Sequence, residues 1–225
     1  MSRTIRTPRT PLRRPRRAQQ LIAVAAGGLL VLSACSDDSD DSSADTDTTA
    51  SDSTDTAASG DALATAAVAN ADGDELGTAT ITDIDGETSE LSVEFSGLEP
   101  GMYGMHIHAV GQCETDSESP DGSDTGDYLS SGGHMDSDDH DHPSHGGDLP
   151  ALLVKEDGTA SLTVSTDRVT KENLLDDDGS ALIIHESPDN YGNIPERYAP
   201  DGPDEDSLKT GDAGGRQACG VFEAA

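Results

Sequence analysis

The chain has 225 residues, with 45 Asp and Glu against 13 Lys and Arg, a formal net charge of −32. Hydrophobic residues make up 32%, aromatics 3%, and Trp is absent. A chain this acidic does not neutralise a phosphate backbone, which excludes nucleic-acid binding, and its length allows one folded domain with a tail rather than several.

Residues 1–20 carry seven of the ten Arg, and no acid precedes Asp37. The apolar run over 21–32 (LIAVAAGGLLVL) is too short for a membrane span, which takes ~20 residues, and fits the core of a signal peptide. It ends in Leu32-Ser33-Ala34-Cys35, which resembles the lipobox of bacterial lipoproteins, in which the Cys is lipidated and becomes the mature N-terminus. An ordinary secretory signal with an incidental Cys is the competing reading. The expectation is a signal peptide over 1–34 and a lipid anchor at Cys35 that holds the protein on the outer face of a bacterial cell membrane. Loss of the leader leaves six basic residues against 45 acids, a charge near −39. Beyond Cys35, residues 36–61 contain only Ser, Thr, Asp, Ala and one Gly, which bury nothing and repel one another, so 35–61 reads as a disordered linker.

The folded domain is expected over 62–225. Short, partly alternating apolar segments occur at 63–70, 76–82, 91–95, 103–109, 151–154, 160–165, 181–186 and 219–222, most of them separated by Asp-Gly-type turns. Strands of this length and spacing predict an all-β sandwich or barrel. A short helix is expected over 167–175. With so few aromatics the core must be Val, Ile, Leu and Ala. Two polar stretches, 111–148 and 187–215, are too long for simple connections and are expected to be functional loops.

His106 and His108, in GMHIHAV, are two apart; on a strand both imidazoles point to one face and can reach one metal. Four more His follow within a short span, His134, His140, His142 and His145, with Asp148 close behind. A His/Asp metal-scavenging tract is the competing reading of DSDDHDHPSH. His185 stands apart, at the end of the apolar run ALII. Imidazoles in this number suit copper or zinc, and a carboxylate joins more readily on zinc.

Five motifs now stand in order: GMHIH (104–108), GGH (132–134), HGGDLP (145–150), IIHE (183–186) and GDAGGRQACGV (211–221). Together they resemble the copper–zinc superoxide dismutases, across essentially the whole mature domain, and NIPERY (193–198) is similar to the actinobacterial branch. The resemblance implies an eight-stranded Greek-key barrel with two functional loops. It implies one copper per subunit on His106, His108, His134 and His185, and one zinc on His134, His142, His145 and Asp148. The gap between the two later zinc His is three residues where the family has about nine, so the zinc loop is shortened and His140 stands as a substitute for His142. Asp189 matches the aspartate that links a copper His to a zinc His. Arg216 matches the arginine beside the copper that orients the anion, and Cys113 and Cys219 match the intrasubunit disulfide. The implied reaction is dismutation of superoxide to dioxygen and hydrogen peroxide, with copper cycling between Cu(II) and Cu(I) and His134 carrying a proton. The subunit would work as a monomer or homodimer, protecting the cell envelope. A non-catalytic copper- and zinc-binding envelope lipoprotein of the same fold is the alternative; it would have no use for Arg216.

Overall fold

The computed structural model describes residues 60–136 and 140–225. The expected signal peptide, Cys35 and all but the last two residues of the linker lie outside them.

The strands are β1 (Ala62–Asn70), β2 (Glu75–Asp83), β3 (Ser89–Ser96), β4 (Gly101–Tyr103), β5 (Met105–His108), β6 (Ser117–Glu118), β7 (Thr125–Gly126), β8 (Leu152–Val154), β9 (Thr159–Thr166), β10 (Ala181–His185), β11 (Arg216–Val221) and β12 (Glu223–Ala224). An eight-stranded antiparallel sheet runs β5-β10-β11-β1-β2-β3-β9, with β12 also on β1. The non-sequential neighbours β11–β1 and β3–β9 are the long crossovers of a Greek key. β4 pairs with β8. That ribbon runs on through the chain into β5 at one edge of the sheet and into β9 at the other. The sheet therefore curls into the expected barrel.

Period-two alternation drives this arrangement. Ala64, Ala66 and Val68 of β1 and Leu91, Val93 and Phe95 of β3 face inward, with more exposed residues between them. Ile81, Leu91, Met105, Ile107, Leu152, Leu174, Leu182 and Ile184 are wholly buried. The core is aliphatic, as the composition requires. A smaller apolar cluster of Tyr128, Ala181, Ile183 and Cys219 lies against Cys113. There the Cys113–Cys219 disulfide (Cα–Cα 5.6 Å) closes a loop of 106 residues, a cross-link that chain entropy values at about 4–5 kcal/mol.

Three elements differ from expectation. The strand over 103–109 is broken at Gly104, whose N–H donates to Ser187 O and whose carbonyl accepts from His185 N, each at 2.8 Å. The helix expected over 167–175 shrinks to one turn, α1 (Lys171–Leu174), started by a capping box between Thr170 and Asn173. The 187–215 stretch contains a second helix, α2 (Glu205–Thr210). Asp204 caps it, Glu205 and Asp206 occupy its first turn, and Gly211 ends it in the left-handed region. Those end signals are legible in DEDSLKTG, but with Leu208 the only strongly apolar residue in it, the helix shows no apolar periodicity.

Candidate metal centre

Alternation along β5 turns Met105 and Ile107 into the barrel and His106 and His108 to the outer face. Both His are nevertheless buried, because the 111–148 segment returns over them. Single antiparallel bridges set His134 beside His108 and Asp148 beside His106. Gly147 O accepts from Ile107 N at 2.9 Å. A side chain at Gly147 would strike Ile107 O, which is why the HGGD motif needs glycine there. On the next strand Ile183 pairs with His106, and two residues later His185 pairs with Arg216 at the start of β11.

His106, His108, His134 and His185 bring one nitrogen each within 4.8 Å of one another. Three of them are oriented by their other nitrogen. His106 Nε2 donates to Asp189 Oδ2 (2.7 Å), His108 Nδ1 to Gly132 O (2.8 Å) and His185 Nδ1 to Gly214 O (3.1 Å). The remaining atoms, His106 Nδ1, His108 Nε2 and His185 Nε2, are buried without a hydrogen-bond partner. A buried lone pair left unmatched is costly, and several aimed into one space are what a soft cation requires. Burial, helped by the neighbouring Arg216 and imidazoles, holds the His108 pKa well below the usual range. Burial and the nearby His106 push His185 down to about 3. Both rings are therefore neutral and able to ligate.

A second group adjoins the first through His134. His134 Nδ1 lies 2.8 Å from Asp148 Oδ1, His142 Nδ1 3.0 Å, and His145 Nδ1 3.2 Å from the same oxygen. The two nitrogens His134 Nδ1 and His145 Nδ1 are 3.3 Å apart. A tetrahedral site with bonds of ~2.0 Å has edges of about 3.3 Å, so these spacings fit a zinc ion. His142 Nδ1 comes close to Asp148 yet makes no hydrogen bond, as expected of co-ligands. His106 also comes within ligand reach of His134, His142 and Asp148, but its Nε2 is committed to Asp189, and its one free nitrogen serves the first group.

Asp189 joins the two groups. It accepts from His106 Nε2 and, at 2.9 Å, from His142 Nε2, and is itself held by Tyr191 N (2.7 Å). A side chain at Gly211 would strike Asp189 Oδ1 and crowd His142 Nε2, and its φ of +58° suits glycine. Burial pulls the His142 pKa down, but Asp148 and Asp189 together lift it to about 9. Burial pushes His134 down to about 4 against the pull of Asp148. Both carboxylates sit well below the usual range: burial, which acts upward on each, is outweighed by the hydrogen-bonded imidazoles.

The expected residues are therefore brought together, with one exception. His140 is exposed and belongs to neither group, while His142 is buried beside Asp148. The three-residue gap between His142 and His145 is spanned by a tight turn, so no substitute ligand is needed.

A cavity of about 440 Å³ opens onto His108, His134, His185 and Arg216. Arg216 donates to Tyr128 O (2.6 Å), Ser131 Oγ (2.9 Å) and Gly132 O (2.7 Å). These acceptors are neutral, and the guanidinium makes no ion pair with any described carboxylate. Burial lowers its pKa to about 10, which still leaves it protonated at neutral pH. Gly132 O also accepts from His108, coupling the arginine to a metal-facing ring. Sequence reasoning missed the carbonyls of Tyr128, Gly132 and Gly214, which have no residue signature, and Asp127, Lys209 and Thr210 at the cavity wall. Lys209 was detectable as one of only three Lys in the chain.

A Greek-key barrel carrying two adjoining His-rich sites that share one imidazole defines a two-metal β-barrel protein. The family model described as copper/zinc superoxide dismutase (SODC) matches residues 75–222. The chain is 48% identical over 132 residues to the Cu-Zn superoxide dismutase of Mycolicibacterium paratuberculosis, covering 56% of this chain and 58% of the relative. It is 34% identical over 146 residues to that of Deinococcus radiodurans, covering 60% and 71%. The chain thus spans little more than half the length of the mycobacterial relative. Among solved structures, the Cu/Zn superoxide dismutase from Brucella abortus superimposes with a TM-score of 0.53 at 31% identity, covering 70% or more of each chain (71% and 98%). The chain belongs to the copper/zinc superoxide dismutase family.

Proposed function

We propose that this protein dismutates superoxide to dioxygen and hydrogen peroxide. Copper is held by His106, His108, His134 and His185, and zinc by His134, His142, His145 and Asp148. One observation carries the reading: four imidazole nitrogens lie within 4.8 Å of one another, and three of those rings, His108, His134 and His185, line a cavity with Arg216, which makes no ion pair with any described carboxylate. A metal-storage protein needs the imidazoles and not the arginine.

Bound copper supplies the one-electron oxidation and reduction. The chain supplies the rest. Arg216 attracts the anion and orients it at the cavity floor, its planar fork fixed by three acceptors. Because His134 Nδ1 faces Asp148, its Nε2 is left for the copper side and can hold a proton destined for peroxide. Asp189 fixes His106 and His142 in the tautomers that free Nδ1 in both. The Cys113–Cys219 bridge ties the segment before the anion site to β11, which carries Arg216.

The proposal extends to location: Cys35 carries the lipid, and the domain works outside the cell on the membrane's outer face. The disulfide supports an oxidising compartment. The direct test is metal analysis of purified protein together with a superoxide assay on wild type and His108→Ala. One equivalent of copper, with activity abolished in the variant, supports the reading. A copper-loaded protein without turnover would return it to the metal-binding alternative.

A further inference from the structure

Of the six ligand His, four are oriented by a partner on the nitrogen turned away from the metals: Asp189 holds His106 and His142, and backbone carbonyls hold His108 and His185. His134, shared between the two groups, turns one nitrogen to each. His145 differs from all of these. Its Nδ1 faces the metal group, and its Nε2 is buried without a partner. Its ring direction must come from its backbone. On one side His145 N donates to Asp148 Oδ2 at 2.9 Å. On the other, His145 O accepts from Arg168 Nη1 at 2.9 Å, and the same nitrogen donates to Pro143 O at 3.2 Å. One guanidinium nitrogen therefore spans the three-residue turn that separates His142 from His145. Arg168 makes no ion pair with any described residue in a chain of 45 acids; its guanidinium donates to these two carbonyls. The segment that carries it is fixed in turn, since Asn173 Nδ2 donates to Arg168 O at 2.8 Å and Asn173 belongs to the capping box of α1.

We infer that Arg168 is a positioning residue for the zinc half-site, fastening the shortened loop by its carbonyls and setting the ring of His145. This rests on the assignment of zinc to His134, His142, His145 and Asp148. Removing an outer partner of a metal ligand typically costs ten- to a hundredfold in metal affinity. The test uses the copper-loaded protein and titrates Zn(II), then Co(II) as its spectroscopic substitute, into wild type, Arg168→Ala, Arg168→Lys and Lys171→Ala. The expected result for Arg168→Ala is zinc affinity at least tenfold weaker and altered cobalt ligand-field bands, with copper content and circular dichroism unchanged. Arg168→Lys should recover part of the affinity, because an ammonium can also donate to two carbonyls. Lys171→Ala removes the same charge from the same segment and should match wild type. Wild-type affinity and spectrum in Arg168→Ala would overturn the inference, as would an equal loss in Lys171→Ala, which would make the effect one of charge alone. Failure of the wild type itself to bind zinc or cobalt would instead sink the zinc assignment, a separate and recognisable outcome.

Discussion

The two halves of the metal centre are built differently. The half proposed for copper stands mostly on the barrel: His106 and His108 belong to β5 and His185 to β10, paired strands whose inner faces are packed core, and only His134 comes from a loop. The half proposed for zinc stands on a returning loop, in which His134, His142, His145 and Asp148 are held by Asp189, Arg168 and the bridges to β5. Strand ligands inherit their geometry from the sheet. Loop ligands require outside fastenings, because a loop contributes no repeating hydrogen bonds of its own. The shared His134 and Asp189 are where the rigid half lends order to the other.

The largest expected effect tests the rigid half. His108→Ala should lose copper and reduce superoxide turnover to background, read by metal analysis and stopped-flow assay; retained copper with full turnover would contradict the copper assignment. Next comes the anion site. Arg216→Ala should keep its copper but turn over ten- to a hundredfold more slowly at low superoxide, since a charge-assisted contact is worth about 1.5–3 kcal/mol. An unchanged rate would remove Arg216 from the reaction. A smaller effect is expected in the loop half: His142→Ala should lose zinc while retaining copper, because three of the four proposed copper ligands, His106, His108 and His185, stand on strands. Simultaneous loss of both metals would show that the halves are not separable.

Acid should also separate stability from metal. Without metal, His108, His134 and His185 have folded pKa values below the unfolded 6.5. The unfolded chain then takes up more protons, so stability falls as pH drops below about 6.5 and goes on falling toward 3. Asp148 and Asp189, depressed in the fold, add to the loss below about pH 4. His142, raised to about 9, acts oppositely, stabilising below 6.5 and losing that contribution as pH rises through 9. The net expectation is an acid-labile metal-free protein, checked by thermal melts across pH 4 to 8; melts that rise toward low pH would refute it. The smallest effect concerns salt. Electrostatic steering, for which this enzyme family is itself a standard example, is opposed here by a formal net charge of −32. With a screening length of about 8 Å at physiological salt, added salt should raise the rate or lower it only shallowly. A steep decline with ionic strength would mean that Arg216 and Lys209 dominate the field at the cavity.

Legibility followed the same division. Alternation gave β1, β2, β3 and β9 within a residue or two, and the HxH spacing put His106 and His108 on one face. Helix α2 was hidden because its signals lie at its ends and not in a repeating apolar face. The choice between His140 and His142 was open, since both stand in a tract of similar composition and only packing buries one of them.

Residue type and local period, acting alone, determined an all-β domain with an aliphatic core and a shared face for His106 and His108; the ligand set and the role of Arg216 followed from the resemblance of the motifs to the family. Tertiary structure alone decided which nitrogen of each imidazole is free, because that depends on partners far along the chain, such as Asp189, 83 residues from His106. It also decided that Arg216 rests on carbonyls and a hydroxyl rather than on a carboxylate, and that Arg168 closes the short loop. Periodicity reports the face on which a side chain emerges; the group that meets it there is set by distant segments packed across that face.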